Sequence, residues 1–165
     1  MPSEPKKIKL LIVDDEPDFL QVIAERLGDR DFDVMTASNG KDAIKVAKKN
    51  KFDLALIDLK MPGMDGTEVL QILKKKHKFL EVIILTGHDS LDSAVECTKL
   101  GAFGYMPKPY DMDKLLETLG QAYQTRLKKK FEYDKKRKEE IEILAAGSSP
   151  MGILRALLNI DDDEK

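Results

Sequence analysis

The chain contains a single cysteine, Cys97, which excludes an intrachain disulfide. Its position inside a helical pattern reads as a small buried or half-buried thiol rather than a redox centre. A surplus of either charge is also missing. Against 28 basic residues stand 30 acidic ones, for a formal net charge of −2, so the basic bias of a nucleic-acid binder is absent and direct DNA binding is not expected. No apolar run approaches the length of a membrane span, and the opening Met1-Pro2-Ser3-Glu4-Pro5-Lys6-Lys7 has no apolar core of the kind a secretory signal needs. A cytoplasmic location with no membrane partner is the resulting expectation, with residues 1–6 as a disordered N-terminus. What is present is a hydrophobic fraction of 42% over 165 residues, enough for a core in one domain with room for an appendage.

Four short apolar runs each end in a polar residue. Ile8-Lys9-Leu10-Leu11-Ile12-Val13 leads into Asp14-Asp15-Glu16, Leu54-Ala55-Leu56-Ile57 into Asp58, Val82-Ile83-Ile84-Leu85 into Thr86-Gly87, and Phe103-Gly104-Tyr105-Met106 into Pro107-Lys108-Pro109. Runs of this length read as buried parallel strands covered on both faces by the helical patterns between them. In an open α/β sheet the carboxyl ends of the strands share one edge, where ligands bind. That edge would gather Asp14, Asp15 and Asp58 with one hydroxyl, Thr86, and one ammonium, Lys108.

Carboxylates crowded within a few ångströms repel one another and take up a proton unless a cation neutralises them. Oxygen-only ligands suit hard Mg²⁺, which keeps several waters and borrows oxygens from a phosphate substrate. A carboxylate in such a place can attack phosphorus and become an aspartyl-phosphate. Lys108 supplies a point charge for phosphoryl oxygens and Thr86 a hydrogen-bond donor. The residue types together point to a magnesium-assisted phosphoryl acceptor.

Residues from about Lys7 to Leu127 resemble the receiver domain of bacterial two-component response regulators. The resemblance rests on Leu11-Ile12-Val13-Asp14-Asp15-Glu16, on Asp58-Leu59-Lys60-Met61-Pro62-Gly63-Met64-Asp65-Gly66, on Thr86-Gly87, and on Gly101-Ala102-Phe103-Gly104-Tyr105-Met106-Pro107-Lys108-Pro109. It implies that Asp58 is phosphorylated, that Asp15 binds Mg²⁺ directly and Asp14 mainly through water, and that the Lys60 backbone carbonyl completes the protein ligands. It further implies that Lys108 and Thr86 hold the transferred group, that Tyr105 is an aromatic switch residue, and that the Lys108–Pro109 bond is cis. The implied fold is a doubly wound, flavodoxin-like five-stranded parallel sheet of order 2-1-3-4-5. The implied partners are a histidine kinase or phosphotransfer protein and a downstream protein target, with the regulator a monomer or a weak phosphorylation-dependent dimer. Such a protein is a phosphoacceptor that assists its own phosphotransfer and autodephosphorylation, not an enzyme acting on a separate substrate. Lys60 and His88, two residues past Asp58 and Thr86, are candidates for tuning the dephosphorylation rate.

Between the runs, helical signals recur. Pro17 sits where a first-turn proline is tolerated, and Phe19, Leu20, Ile23, Ala24 and Leu27 form an apolar stripe ended by Gly28. Phe32-Asp33-Val34-Met35-Thr36 is a short second strand. Ser38 or Asn39 caps the next helix, Asp89 or Ser90 the fourth and Asp111 the fifth. Lys74-Lys75-Lys76 reads as a solvated helix end that complements the dipole. The region 7–127 is thus the receiver unit. Residues 128–146 are highly charged with good helix formers, and read as a solvated extension of the fifth helix or a linker. Residues 147–165 break at Gly147-Ser148-Ser149-Pro150 into a short amphipathic segment with Ile153, Leu154, Leu157, Leu158 and Ile160, then an acidic tail. A stripe too short to stand alone in water is expected to be disordered or docked, with docking on a partner chain or on the receiver favoured. No Gly-rich phosphate loop occurs in the 165 residues, so a short extension without an ATPase output domain is expected.

Two other functions compete. A phosphatase working through an aspartyl-phosphate carries a second acid two residues past its nucleophile, where this chain has Lys60. A phosphate-independent interaction module has no use for the full set of site residues retained here.

Overall fold

The structure is a computed structural model and describes residues 6–87, 91–147, 150–151 and 154. Elements alternate strictly: β1 Ile8–Val13, α1 Pro17–Gly28, β2 Phe32–Ala37, α2 Gly40–Lys49, β3 Leu54–Ile57, α3 Gly66–Lys76, β4 Glu81–Thr86, α4 Leu91–Lys99, β5 Gly104–Pro107 and α5 Met112–Gly147. The strands form one parallel sheet in the order β2-β1-β3-β4-β5. Alternation of side chains then sorts the core into two layers. Leu11, Val13, Ala55, Ile57, Val82 and Ile84 pack with residues of α2, α3 and α4, whereas Leu10, Ile12, Leu54, Leu56, Ile83 and Leu85 meet α1 and α5. Burial on both faces is why these strands read as unbroken apolar runs.

Helix starts follow local chemistry. Pro17 occupies the first turn of α1. The Asn39 side chain accepts from the Asp42 backbone N–H at 2.9 Å, which selects it over Ser38, and Asp65 does the same for Glu68 at 3.0 Å at the head of α3. Asp111 accepts from the Asp113 N–H at 3.0 Å at the start of α5. The capping candidates of α4, Asp89 and Ser90, lie outside the described residues. Gly28 is the last residue of α1 rather than a left-handed stop, and the residue with positive φ in that turn is Asp31, at 64°. Short polar Asp tolerates that region better than most side chains. The Lys108–Pro109 bond is cis, as the resemblance implies. Cys97 is buried, and burial pushes its thiol up, which disfavours the reactive thiolate.

Three strands differ in their bounds from the sequence reading. Strand β2 runs on to Ala37, β4 begins one residue earlier, at Glu81, and takes in Thr86, and β5 begins at Gly104 and takes in Pro107. Glu81 is 1% exposed, and Lys129 donates to it at 2.8 Å. Helix α5 continues unbroken through 36 residues, so the charged stretch after Leu127 is helical. Arg126 pairs with Asp53 at 3.0 Å and the Tyr133 ring meets Phe79 edge-on at 5.3 Å, which holds the near part of the extension beside the sheet. Of the apolar tail stripe, only Leu154 is described, and it is exposed; Ile153, Leu157, Leu158 and Ile160 lie outside the described residues. Among the described residues no helix is long and apolar enough to cross a membrane.

Gly66 opens α3 directly under the β3 terminus, its N–H bonded to the Leu59 carbonyl at 3.0 Å. A Cβ there would press into the Asp58 carbonyl oxygen and come within 2.7 Å of the Leu59 Cα, both backbone atoms with no rotamer to yield. We expect Gly66→Ala to destabilise the fold by about 1–3 kcal/mol, the usual cost of overpacking, as read by urea denaturation.

Candidate functional site

Strand order sets which side chains meet. Val13 and Ile57 are register partners across β1 and β3, so Asp14 and Asp58, the next residue on each, emerge side by side. The Asp58 N–H completes the ladder to the Val13 carbonyl at 3.0 Å. Ile57 pairs with Ile84 on β4, which sets Thr86 beside Asp58. Thr86 pairs in turn with Pro107 on β5, and the Lys108 N–H bonds the Thr86 carbonyl at 2.8 Å, bringing the lysine back over the edge.

The polar contacts are specific. The Thr86 hydroxyl donates to Asp58 Oδ1 at 3.0 Å, and the Lys60 N–H reaches the same oxygen at 3.4 Å. Lys108 Nζ donates to Asp14 Oδ2 at 2.6 Å and Asp58 Oδ2 at 3.4 Å, with Glu16 Oε1 at 3.7 Å. It also sits 4.2 Å from the centroid of the Phe19 ring, whose edge packs on Tyr110. Asp14 is 2% exposed and Asp58 6%. The second Asp14 oxygen accepts from the Glu16 N–H at 2.9 Å. An open cleft of about 700 Å³ lies above, walled by Asp15, Glu16, Phe19, Lys60, Lys108 and Tyr110 among others.

Burial pushes the Asp14 carboxyl up; the Lys108 hydrogen bond and the Glu16 N–H pull it down, and the Asp58 charge adds to the rise, so the net direction is upward. For Lys108 burial acts downward, but the hydrogen bond and charge of Asp14, then Asp58 and Glu16, outweigh it and hold the ammonium above its usual value. One cation therefore does not fully offset the lost hydration of Asp14, and the edge accommodates further positive charge. Carboxylate oxygens of Asp14, Glu16 and Asp58 lie within 4.8 Å of one another, a hard all-oxygen set that fits a divalent cation such as Mg²⁺.

All five residues singled out at the strand ends, Asp14, Asp15, Asp58, Thr86 and Lys108, fall at this edge. Asp15 borders the cleft but is not in the tight carboxylate cluster, where Glu16 stands instead. Glu16 carried a readable signal as the third acid of the same turn. Tyr105 lies on β5 and is 39% exposed. His88 lies outside the described residues. In chemical terms the edge presents one carboxylate, Asp58, with a hydroxyl on one oxygen and an ammonium on the other, facing an open cleft.

Residues 10–120 match the response regulator receiver domain family. Relatives include a putative NtrX-like response regulator of Rickettsia bellii, 37% identical over 125 residues, and the transcriptional regulatory protein GlrR of Escherichia coli, 37% identical over 117 residues. These alignments take in 74% and 71% of this chain but 26% of each relative, so the chain spans about a quarter of the length of the curated proteins it matches. A solved receiver domain protein from Clostridium thermocellum superposes with a TM-score of 0.68 at 35% identity, covering 71% of this chain and 94% of that one. A CheY-like receiver domain protein from Methanospirillum hungatei gives 0.71 at 30%, covering 74% and 98%. The chain belongs to the response regulator receiver domain family of two-component systems, a family of regulators rather than of enzymes.

Removing the Lys108 charge leaves buried Asp14 without its closest cation. Breaking a buried pair costs roughly 3–5 kcal/mol, and the open cleft puts this case at the low end. Lys108→Met is expected to lower metal-free stability at pH 7 by about 3 kcal/mol. The loss of Lys108 raises the folded Asp14 value further, so the deficit is full above that value and shrinks as pH falls through it, where a protonated Asp14 no longer needs the cation. Urea unfolding at pH 7 and pH 4 reads both; an equal deficit at the two values would remove the ion pair as its cause.

Proposed function

We propose that the chain is a phosphoacceptor signalling protein in which Asp58 takes a phosphoryl group from a histidine kinase or phosphotransfer protein. The observation that carries this is the pair of contacts on Asp58. Thr86 holds Oδ1 and Lys108 holds Oδ2, so the carboxylate is fixed with its ends oriented at the floor of an open cleft. An Asp58 oxygen attacks phosphorus while the bond to the donor's nitrogen breaks and that nitrogen leaves with the electron pair. Lys108 and the Thr86 hydroxyl bind the oxygens of the transferred group, and most of the work is positioning. Asp14, Asp15, Asp58 and the Lys60 carbonyl would hold Mg²⁺, with Glu16 near enough to join them. When bound, Mg²⁺ offsets charge on the phosphoryl oxygens.

Modified Asp58 is a stronger, more highly charged acceptor than the carboxylate. It draws Thr86 towards the phosphoryl group, and the space vacated beside β5 admits Tyr105, which is exposed beforehand. The face of α4, β5 and α5 then switches between two states, to the extent that phosphate binds one state better than the other. A downstream protein reads that face, either from a monomer or through a weak phosphorylation-dependent dimer. Lys60, which lines the cleft, and His88, two residues past Thr86 in the sequence, are the candidates for tuning the later loss of the phosphate to water.

Asp58→Asn keeps the shape and removes the nucleophile. Incubated with Mg²⁺ and a small phosphodonor, it is expected to incorporate no phosphate by intact mass, against clear incorporation in the unaltered protein; equal incorporation would refute the assignment. The decay of that label in Lys60 and His88 exchanges is expected to change more than its formation.

Metal binding separates Asp15 from Glu16. If Asp15 is the direct ligand, Asp15→Ala weakens Mg²⁺ at least tenfold in a fluorescence or calorimetric titration, and Glu16→Gln weakens it less. The reverse order would assign the ligand to Glu16.

A further inference from the structure

The end of the sheet opposite the acidic edge is strongly cationic. A concave cleft of about 570 Å³ is bounded by the last turns of α2 and α3, the loops that follow them, and the flank of α5. Lys48, Lys49, Lys51, Lys75, Lys76 and Lys130 line it. Among the described residues no carboxylate lies within ion-pair distance of these six. The carboxylates nearby are already taken, Asp53 by Arg126 and Glu81 by Lys129. Lysines at helix ends complement the dipole, and that accounts for Lys48, Lys49, Lys75 and Lys76 one helix at a time. It does not account for Lys51, or for Lys130 within α5, or for the convergence of all of them on one concave surface. A cleft of one sign between low-dielectric walls focuses field and concentrates an anionic partner. Ala47, Phe52 and Leu80 close its floor and are buried, so what an occupant meets is mainly lysine side chains, charged heads on aliphatic stems.

That combination asks for an occupant with aliphatic residues next to a run of acids. A nucleic acid fits poorly, because single strands bind through open aromatic faces as well as charge. Here Phe52 is buried, and Phe79 is spent on Tyr133. The chain itself carries the matching sequence, Leu157-Leu158-Asn159-Ile160 followed by Asp161-Asp162-Asp163-Glu164, which lies outside the described residues. Distance permits the return. The α5 axis from Lys130 to Gly147 is about 25 Å at ~1.5 Å per residue. Counting the four steps from Pro150 to Leu154, where the described residues are helical, at ~1.5 Å and the other ten at ~3.3–3.6 Å, the chain from Gly147 to Asp161 reaches about 40 Å.

We propose that this lysine-lined cleft is the docking site for the acidic segment at residues 161–164 of the same chain, seated by the aliphatic residues just before it. The cleft is separate from the Asp58 edge, so the docking does not depend on phosphorylation chemistry.

Carbodiimide coupling of carboxylates to lysines in the full chain, at low protein concentration and with equal ¹⁴N and ¹⁵N protein, tests this directly. Expected are links from residues 161–164 to the six cleft lysines within single-isotope chains, falling at least fivefold at 1 M salt, where the Debye length is about 3 Å. Acetylation of the same lysines should be slowed severalfold relative to a variant carrying Asp161→Asn, Asp162→Asn, Asp163→Asn and Glu164→Gln. Absence of these links, with acetylation rates identical in the two proteins, would overturn the proposal. Links of which about half join a ¹⁴N to a ¹⁵N peptide, the share that random pairing of two chains gives, would overturn it in favour of a second copy. Protection of the cleft by a short single-stranded oligonucleotide, equal in both proteins, would overturn it in favour of nucleic acid.

Discussion

Lys108 lies against two carboxylates that have almost no contact with water, and the arrangement of the acidic edge depends on that contact. Asp14 at 2% exposure and Asp58 at 6% are charges taken out of solvent, a loss that costs several kcal/mol per ion before any compensation. The compensation has to arrive from β5, the strand at the far side of β4. It does so because β4 lies between β3 and β5 and because the Lys108 N–H is anchored on the Thr86 carbonyl. Within this order the backbone bond to Thr86 carries the Lys108 ammonium back across β4 to the acids of β1 and β3. The site is in this sense a consequence of topology, with packing of Phe19 against the ammonium excluding water from one side of it.

Much of this was legible in the chain because the signals were local. Strands buried on two faces leave continuous apolar runs, and each run stops where the chain emerges at the edge, so Asp14, Asp58, Thr86 and Lys108 could be found by looking just past the last aliphatic residue. Caps were legible for the same reason, since Asn39 and Asp111 act within three residues of themselves. What escaped was non-local or conformational. Glu81 looks like an ordinary surface acid ahead of an apolar run, and only its pairing with Lys129, 48 residues on, makes burial tolerable. The positive φ fell to Asp31 and not to Gly28 because the turn leaves α1 before reversing. The choice among Asp14, Asp15 and Glu16 rests on how one acidic turn is oriented, and three adjacent acids carry no marker of that.

The extension of α5 illustrates how little hydrophobic surface is needed to continue a helix already begun. Beyond Leu127 the sequence has few aliphatics, and Phe131 is 69% exposed, yet the helix runs on to Gly147. Nucleation is the costly step in helix formation, and here it is completed by the packed part of α5, where Leu115, Leu119 and Ala122 are buried. Propagation through good helix formers then needs only weak support, which the Arg126–Asp53 and Lys129–Glu81 pairs and the Tyr133 contact provide.

Strand β4 is anchored at both ends. Its first residue, Glu81, is tied to α5, and its last, Thr86, is tied to Asp58. All six of its residues are buried, so the strand has no solvent-facing side on which to absorb a displacement. Close-packed interiors transmit strain rather than dissipate it. A shift of Thr86 must then be taken up by neighbours that still have freedom to move. On one side β4 is flanked by β3, itself buried throughout. On the other lies β5, where Tyr105, register partner of Ile84, is substantially exposed. The lower resistance is on the β5 side, so a displacement of Thr86 is expected to emerge at the surface built from β5 and its adjoining helices.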